Sequence, residues 1–147
     1  MQISNKSFSS SARIATASVL CLLFIVVMSC NFGPPENSLY KQSLRGQEHF
    51  KLYCSQCHGE DGRGLAIDTL VTQPADLTRI VAKRTSSEFP VQEIAEFIDG
   101  RRAVKAHGPR AMPVWGEVFA TEEHLDQDKI RGKLGEIIAY LMSIQRS

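Results

Sequence analysis

The strongest constraint on this chain is the pentapeptide Cys-Ser-Gln-Cys-His at residues 54–58. Its two cysteines are three positions apart, so on a helical turn both thiols lie on the same side. A histidine follows the second cysteine directly. The chain has four cysteines in all, and the other two are Cys21 and Cys30. An even number of cysteines also fits two disulfides, so the pentapeptide has to be weighed against other uses of cysteine.

Three kinds of site use a cysteine pair at this spacing. A thioredoxin-like redox pair opens a helix within a βαβ unit, whereas this pair ends a helical segment and no strand pattern surrounds it. A structural zinc site needs four ligands, yet no cysteine follows Cys57 and the later histidines are too far apart. The third use is covalent attachment of haem c. We therefore predict haem c attached through Cys54 and Cys57, with His58 as an axial ligand to the iron.

The second axial ligand is predicted from the methionines. Met1 and Met28 fall in the N-terminal segment, which leaves Met112 and Met142. Met112 follows a His-Gly-Pro stretch and precedes a proline, a context that predicts an extended loop able to reach the open face of the haem. Met142 lies in the apolar pattern of the last helix, where methionine usually fills gaps in a core. Met112 is therefore the predicted ligand.

Three histidines are alternatives to Met112. His107 lies five residues earlier in the same predicted loop and is the main rival. His49 lies one turn before the pentapeptide on the same helix, so it is poorly placed to reach the opposite face. His124 lies in a charged run and is predicted to be a solvated surface residue.

The N-terminal 29 residues are predicted to be an export signal of the lipoprotein type. Residues 1–13 carry Lys6 and Arg13 and no acid, and a 15-residue apolar run, Ile14–Met28, follows. A membrane-spanning helix needs about 20 apolar residues, and a short run after a basic start is typical of an export signal. The run ends in Val-Met-Ser-Cys, which resembles the lipobox of bacterial lipoproteins and predicts lipid on Cys30. The alternatives are a plain cleaved signal or an uncleaved anchor.

The rest of the chain is predicted to be a tether followed by one domain. Residues 30–38 contain a Gly-Pro-Pro sequence that opposes regular structure, so we expect a flexible tether there. Residues 39–147 form the predicted domain. The whole chain is 43% hydrophobic and 22% charged with a formal net charge of +1, so it carries no basic excess of the kind that binds nucleic acid.

Apolar periodicity predicts an all-α fold. Ile130, Leu134, Ile137, Ile138, Leu141 and Ile144 fit one face of a last helix. Asp126 and Asp128 would stabilise its start through the helix dipole. A middle helix is predicted after Pro90 and up to Gly100, with Val91, Ile94, Ala95 and Ile98 on one face. Asp76 is predicted to cap a shorter helix, Leu77 to Lys83.

Beyond the pentapeptide, the sequence resembles the class I mono-haem cytochromes c over residues 39–145. The segment that runs into the pentapeptide carries Gly46 and Phe50, Met112 begins a Met-Pro-Val-Trp-Gly sequence, and the last helix carries Tyr140. The resemblance implies three to five helices around one haem c. It also implies that the first and last helices cross at Gly46, where only a small residue allows the approach.

The resemblance implies several further roles near the haem. The carbonyl of Pro74 or Ala75 would accept a hydrogen bond from the ring of His58, and Leu77 would pack on the haem. Trp115 would donate to a propionate or pack in the core. A basic cluster before Met112 would pair with propionates, form a docking face or be solvated; it comprises Arg101, Arg102, Lys105 and Arg110.

With both axial positions filled, the iron has no open site for a substrate, so we predict an electron carrier rather than an enzyme. Its partners would be redox proteins in small transient contacts and a membrane reached through lipid on Cys30, with no nucleic acid and no small-molecule substrate. The expected location is the periplasmic side of a bacterial envelope. Two alternatives stay open: a haem subunit of a larger membrane oxidase or dehydrogenase, and a ligand-binding sensor if Met112 is not a firm ligand.

Overall fold

A computed structural model describes residues 33–101 and 111–146 of the chain. The described part contains α-helices and one short 3₁₀ helix but no strand, which confirms the predicted all-α fold. In chain order the helices are α1 (Leu39–Tyr53), α2 (Ser55–His58), the 3₁₀ helix (Leu77–Arg79), α3 (Val91–Asp99), α4 (Trp115–Thr121) and α5 (Gln127–Ser143). The predicted signal, Cys30 and His107 lie outside the described residues.

The helices begin and end at capping residues that the sequence supplies. Ser38 caps α1 by accepting from the Lys41 amide at 3.3 Å, and Asp126 caps α5 by accepting from the Lys129 amide at 2.9 Å. Gly100 ends α3 in the left-handed conformation, with φ of 73°, which glycine adopts without strain. These boundaries confirm the predicted middle and last helices.

The first and last long helices cross at Gly46. A β-carbon added to Gly46 would lie 1.8 Å from the backbone oxygen of Glu136 and 3.0 Å from Cβ of Tyr140, so the helices touch backbone to backbone. One turn later, the fully buried Phe50 ring packs 5.1 Å from the Tyr140 ring. The crossing predicted from the resemblance is present, and it positions the C-terminal end of α1, where the pentapeptide begins.

Polar contacts flank this crossing on one side. The Glu136 carboxylate accepts from Arg45 Nε at 2.5 Å and lies 3.0 Å from His49 Nε2. One carboxylate on α5 therefore engages two side chains of α1. His49 therefore has a partner in Glu136 on this face of α1.

The core is formed by the inner faces of α1, α3, α4 and α5. Its buried residues are Phe50, Ile98, Phe119, Ile130, Leu134, Ile137, Ile138, Tyr140 and Leu141. Ile94, Ala95 and Ile144 pack against it while staying partly exposed. Val91, predicted on the buried face of α3, is 48% exposed because it lies in the first turn, at the edge of the core.

Two expectations about local structure are wrong. The helix predicted over Leu77 to Lys83 is only a 3₁₀ helix that ends at Arg79, although Asp76 does cap it by accepting from the Thr78 amide at 2.9 Å. Met142 does not fill the core. It is 38% exposed and lines a shallow apolar groove with Leu39 and Tyr40, because it follows Leu141 on the outward side of α5.

Within the described residues, no helix is both long and apolar enough to cross a membrane.

Candidate functional site

The pentapeptide forms a tight helical turn at the end of α1. Cys54 ends α1 and begins α2, and its carbonyl accepts from the amides of Cys57 at 3.2 Å and His58 at 2.9 Å. This turn places the two thiols on one side, as the spacing predicted. Both cysteines are half-buried, and their sulfurs are not joined in a disulfide. Gly59, with φ of 74°, then turns the chain out of the helix.

Two further glycines fold the chain back onto the pentapeptide. Gly62 and Gly64 both have positive φ, which a side chain would strain. The Gly64 amide donates to the His58 carbonyl at 2.7 Å, and the Leu65 amide donates to the Cys57 carbonyl at 2.9 Å. The backbone of the returning loop therefore satisfies the carbonyls at the end of α2.

Gly64 also lets a second segment approach. A β-carbon on Gly64 would lie 2.3 Å from the Pro74 carbonyl oxygen, so only glycine permits this contact. The roles of Gly62 and Gly64 are not among those predicted from the sequence. The signal that was present is the Gly-x-x-Gly-x-Gly spacing of residues 59–64, directly after the pentapeptide.

The close approach brings the Ala75 carbonyl to the histidine of the pentapeptide. His58 Nδ1 lies 3.0 Å from the Ala75 oxygen. A carbonyl only accepts, so Nδ1 carries the proton and donates, and this places the lone pair of the ring on Nε2. Such a bond orients a metal-binding imidazole and raises its basicity. Of the two carbonyls considered from the sequence, Ala75 is the one that accepts.

These features fit covalent haem c. Two unpaired thiols lie on one side of a turn, and the histidine that follows has its Nε2 lone pair available for a metal. Burial raises the pKa of the Cys54 thiol to about 12, and neighbouring Cys57 adds to the rise. Burial therefore keeps the free Cys54 thiol in its protonated form.

The structure places Met112 in a bend just before α4. Its side chain is half-buried and packs against the core, while Pro113 beside it is exposed. The non-helical conformation around Met112 agrees with the predicted loop. His124, the solvated alternative, is exposed and has a positive φ of 55°.

An aromatic cluster joins α4 to the end of α1. The Tyr53 ring, next to Cys54 in the chain, lies 5.5 Å from the Trp115 ring and 5.2 Å from the Phe119 ring. Lys133 of α5 lies over the rings of Tyr53 and Phe119 and is paired with Glu123. The cluster therefore packs the helix that follows Met112 against the residue that precedes Cys54. Trp115 packs against the core, which is one of the two roles considered for it.

Arg101, the first residue of the predicted basic cluster, has an internal partner. Its guanidinium donates to the Asp99 carboxylate at 2.8 and 2.7 Å and to the Gln127 side-chain oxygen at 3.0 Å. This bidentate pairing holds the pKa of Asp99 below its usual value. Arg101 therefore joins the end of α3 to the start of α5. Arg102, Lys105 and Arg110 lie outside the described residues.

In a comparison with protein families, residues 41–127 match the family described as cytochrome C oxidase, cbb3-type, subunit III. The search of curated proteins and the search of solved structures give no match. The matched range covers more than half of the chain and includes the pentapeptide and Met112. It confirms the predicted cytochrome c domain, with haem c attached covalently through Cys-x-x-Cys-His. The chain therefore belongs to the family of cytochrome C oxidase, cbb3-type, subunit III, and its cytochrome c domain is that of an electron carrier.

Proposed function

We propose that this protein is a one-electron carrier on the periplasmic side of the envelope, with His58 and Met112 as the axial ligands of its haem c. The observation that carries the proposal is the bond from His58 Nδ1 to the Ala75 carbonyl, which leaves Nε2 as the metal-binding nitrogen. Bound haem c would supply a reversible one-electron couple. The chain would provide the fixed ligands and a pocket that excludes water.

The residues around the pentapeptide support such a role. Gly64 and Ala75 hold the His58 ring in one orientation through backbone contacts. Such contacts reorganise little when the charge of the iron changes. The aromatic cluster of Tyr53, Trp115 and Phe119 packs on the side where α4 meets α1. Ligands held in rigid, apolar surroundings suit electron transfer because neither redox state then requires a different structure. Thioether ligation by Met112 would favour the ferrous state and a comparatively high potential.

Carbon monoxide tests whether both axial positions are firmly filled. We expect the ferrous protein to resist carbon monoxide and to show a single one-electron transition in an optical redox titration. The reason is that an external ligand has to displace Met112 before it reaches the iron. Rapid and complete binding of carbon monoxide would contradict the carrier proposal and favour a ligand-binding or sensor function.

A second candidate function is that of a haem subunit in a larger oxidase. The family description, which names subunit III of a cytochrome oxidase, favours it. In this case the catalytic centre would lie on another chain, and this domain would pass electrons to it. The domain's chemistry is the same in both cases, and what differs is how it is held at the membrane.

We further propose that residues 1–29 are a lipoprotein-type signal, that lipid on Cys30 tethers the protein, that residues 30–38 are the tether and that 39–147 are the domain. Lipid chains contribute about 0.8 kcal/mol per buried methylene, so several together anchor firmly. The apolar run and the Val-Met-Ser-Cys sequence support this proposal.

A Cys30→Ser variant separates a lipid tether from attachment through a second subunit. If lipid alone holds the protein, the variant should move from the membrane fraction to the soluble periplasmic fraction and lose a radioactive fatty-acid label. If a partner chain holds it, the variant should lose the label yet stay in the membranes and co-purify with that chain. A fatty-acid label that persists in Cys30→Ser would contradict lipidation at this cysteine.

A further inference from the structure

The side chain of Gln145, just after the last helix, is inserted into the turn that follows the His58 acceptor. Its Nε2 donates to the Leu77 carbonyl at 2.8 Å, and its Oε1 accepts from the Val81 amide at 3.1 Å. In a continuous α-helix, the Val81 amide would donate to the Leu77 carbonyl directly, four residues earlier. The side-chain amide of Gln145 therefore takes the place of the Val81–Leu77 helical hydrogen bond and bonds to both of these backbone groups. This insertion accounts for the end of the 3₁₀ helix at Arg79.

The same glutamine is anchored firmly on its own helix. Nε2 also donates to the Leu141 carbonyl at 2.7 Å, so both amide hydrogens and the oxygen have partners. The next residue adds a backbone bond, because the Arg146 amide donates to the Thr78 carbonyl at 2.8 Å. Thr78 is 2% exposed, whereas Leu77, Val81 and Gln145 around it are partly buried. The C-terminal end of α5 is therefore joined to residues 77–81 by three hydrogen bonds.

Residues 77–81 begin two positions after Ala75, whose carbonyl orients His58. Ala75 lies two residues before Leu77, and the Leu77 amide donates to the Gly62 carbonyl at 2.7 Å. On the other side of Ala75, the Pro74 carbonyl is packed on Gly64. The Ala75 carbonyl therefore lies between two positions held by backbone contacts, Pro74 and Leu77, and Gln145 adds a side-chain bond at the second of them.

We propose that Gln145 is a positioning residue for His58: by holding residues 77–81 to the last helix, it keeps the Ala75 carbonyl on Nδ1. This inference rests on the proposed role of His58 as axial ligand. Without Gln145, the Leu77 carbonyl and the Val81 amide lose their partners and the segment that carries Ala75 is less restrained. A weaker bond at Nδ1 lowers the basicity of the imidazole and destabilises the ferric state, so the potential rises.

Hydrogen exchange at the His58 ring tests this inference on the full haem-containing protein. In the reduced, diamagnetic state, NMR of protein with ¹⁵N-labelled histidine would measure exchange of the Nδ1 proton with solvent. In Gln145→Ala we expect this exchange to be about five- to tenfold faster, the factor that one hydrogen bond of ordinary net strength represents. The backbone amide of Ile138, buried within α5, should exchange at the wild-type rate. The reduction potential should increase.

Two further variants complete the test. Gln145→Glu keeps the size and the acceptor but cannot donate to the Leu77 and Leu141 carbonyls, so it should also accelerate Nδ1 exchange. Arg146→Ala is the matched control, because the Arg146 side chain is exposed and its backbone bond to Thr78 is kept. We expect it to leave both exchange rates and the potential unchanged.

The outcomes separate this inference from the function on which it rests. If Nδ1 exchange is unchanged in both Gln145 variants, or rises only in parallel with that of Ile138, Gln145 has no positioning role. If the wild-type His58 ring protons lack the large upfield shifts of a haem ligand, the axial role of His58 is wrong, and the inference is overturned with it. Faster Nδ1 exchange with an unchanged Ile138 rate supports it.

Discussion

Met112→Ala should convert a carbon monoxide-resistant protein into one that binds carbon monoxide rapidly in the ferrous state. Removal of the proposed thioether ligand would open the sixth position of the iron and take away the ligand that favours the ferrous form. We therefore also expect the potential to fall by on the order of 0.1 V or more, part of the span of about 0.8 V that axial ligands cover. Optical spectra with and without carbon monoxide and a redox titration would measure both effects.

The chain provides a matched control for this variant. Met142, the other methionine beyond the N-terminal segment, is 38% exposed on the outer side of α5. Met142→Ala should leave the spectrum, the potential and the resistance to carbon monoxide unchanged. An unaltered spectrum in Met112→Ala would contradict the assignment of Met112. His107→Ala would then be expected to open the iron instead.

Gly46→Ala should destabilise the protein by about 3 kcal/mol or more, because the added methyl group meets backbone that has no room to move. The new β-carbon would lie 1.8 Å from the Glu136 carbonyl oxygen and 2.5 Å from its carbon. To relieve this overlap, α1 and α5 would have to separate along the contact that packs Phe50 against Tyr140. Thermal unfolding followed by circular dichroism should show a decrease in Tm of roughly 10 °C or more.

Substitutions at two other glycines separate the effect of the close helix contact from the effect of glycine on helix propensity. Gly132 and Gly135 lie within α5, and a β-carbon at either position would have no atom within 4 Å. Alanine at these positions should stabilise the protein by about 0.5–1 kcal/mol, since glycine is the weaker helix former. If Gly46→Ala were as stable as Gly132→Ala, the close backbone contact would not exist in solution.

Much of the fold could be predicted from residues whose effect is local. The start of α5 at Asp126 and the two ends of α3 at Pro90 and Gly100 could be predicted. Capping and backbone conformation depend only on near neighbours in the chain. The apolar period of α5 identified its buried face for the same reason. Local signals did not predict the short helix at Leu77 to Lys83 correctly. The capping aspartate is present, but the side chain of Gln145, 68 residues from Leu77, interrupts the helix.

In the candidate site, too, some residues could be predicted from local sequence signals and others depend on contacts between distant segments. Cys54, Cys57 and His58 are identified by spacing alone, since one helical turn places them and the chemistry of attachment follows from that turn. The choice between Pro74 and Ala75 could not be made from the sequence. It depends on how closely Gly64 lets the second segment approach, which is a distance between residues ten positions apart. Gln145 gave no sequence signal, because glutamine at a helix end is ordinarily a surface residue.

The sequence by itself determined the attachment of haem c and the all-helical class, because both depend on residue type and short spacing. The glycine at the helix crossing was implied by the resemblance to class I cytochromes c. Only the tertiary structure decided that Ala75 orients His58, that Arg101 pairs with Asp99 and that Gln145 holds the turn beyond Ala75. The physical reason is that hydrogen bonds require atoms to meet at about 3 Å. Which distant atoms meet is settled by the packing of α1 against α5 and of the glycine-rich loop against residues 74–77.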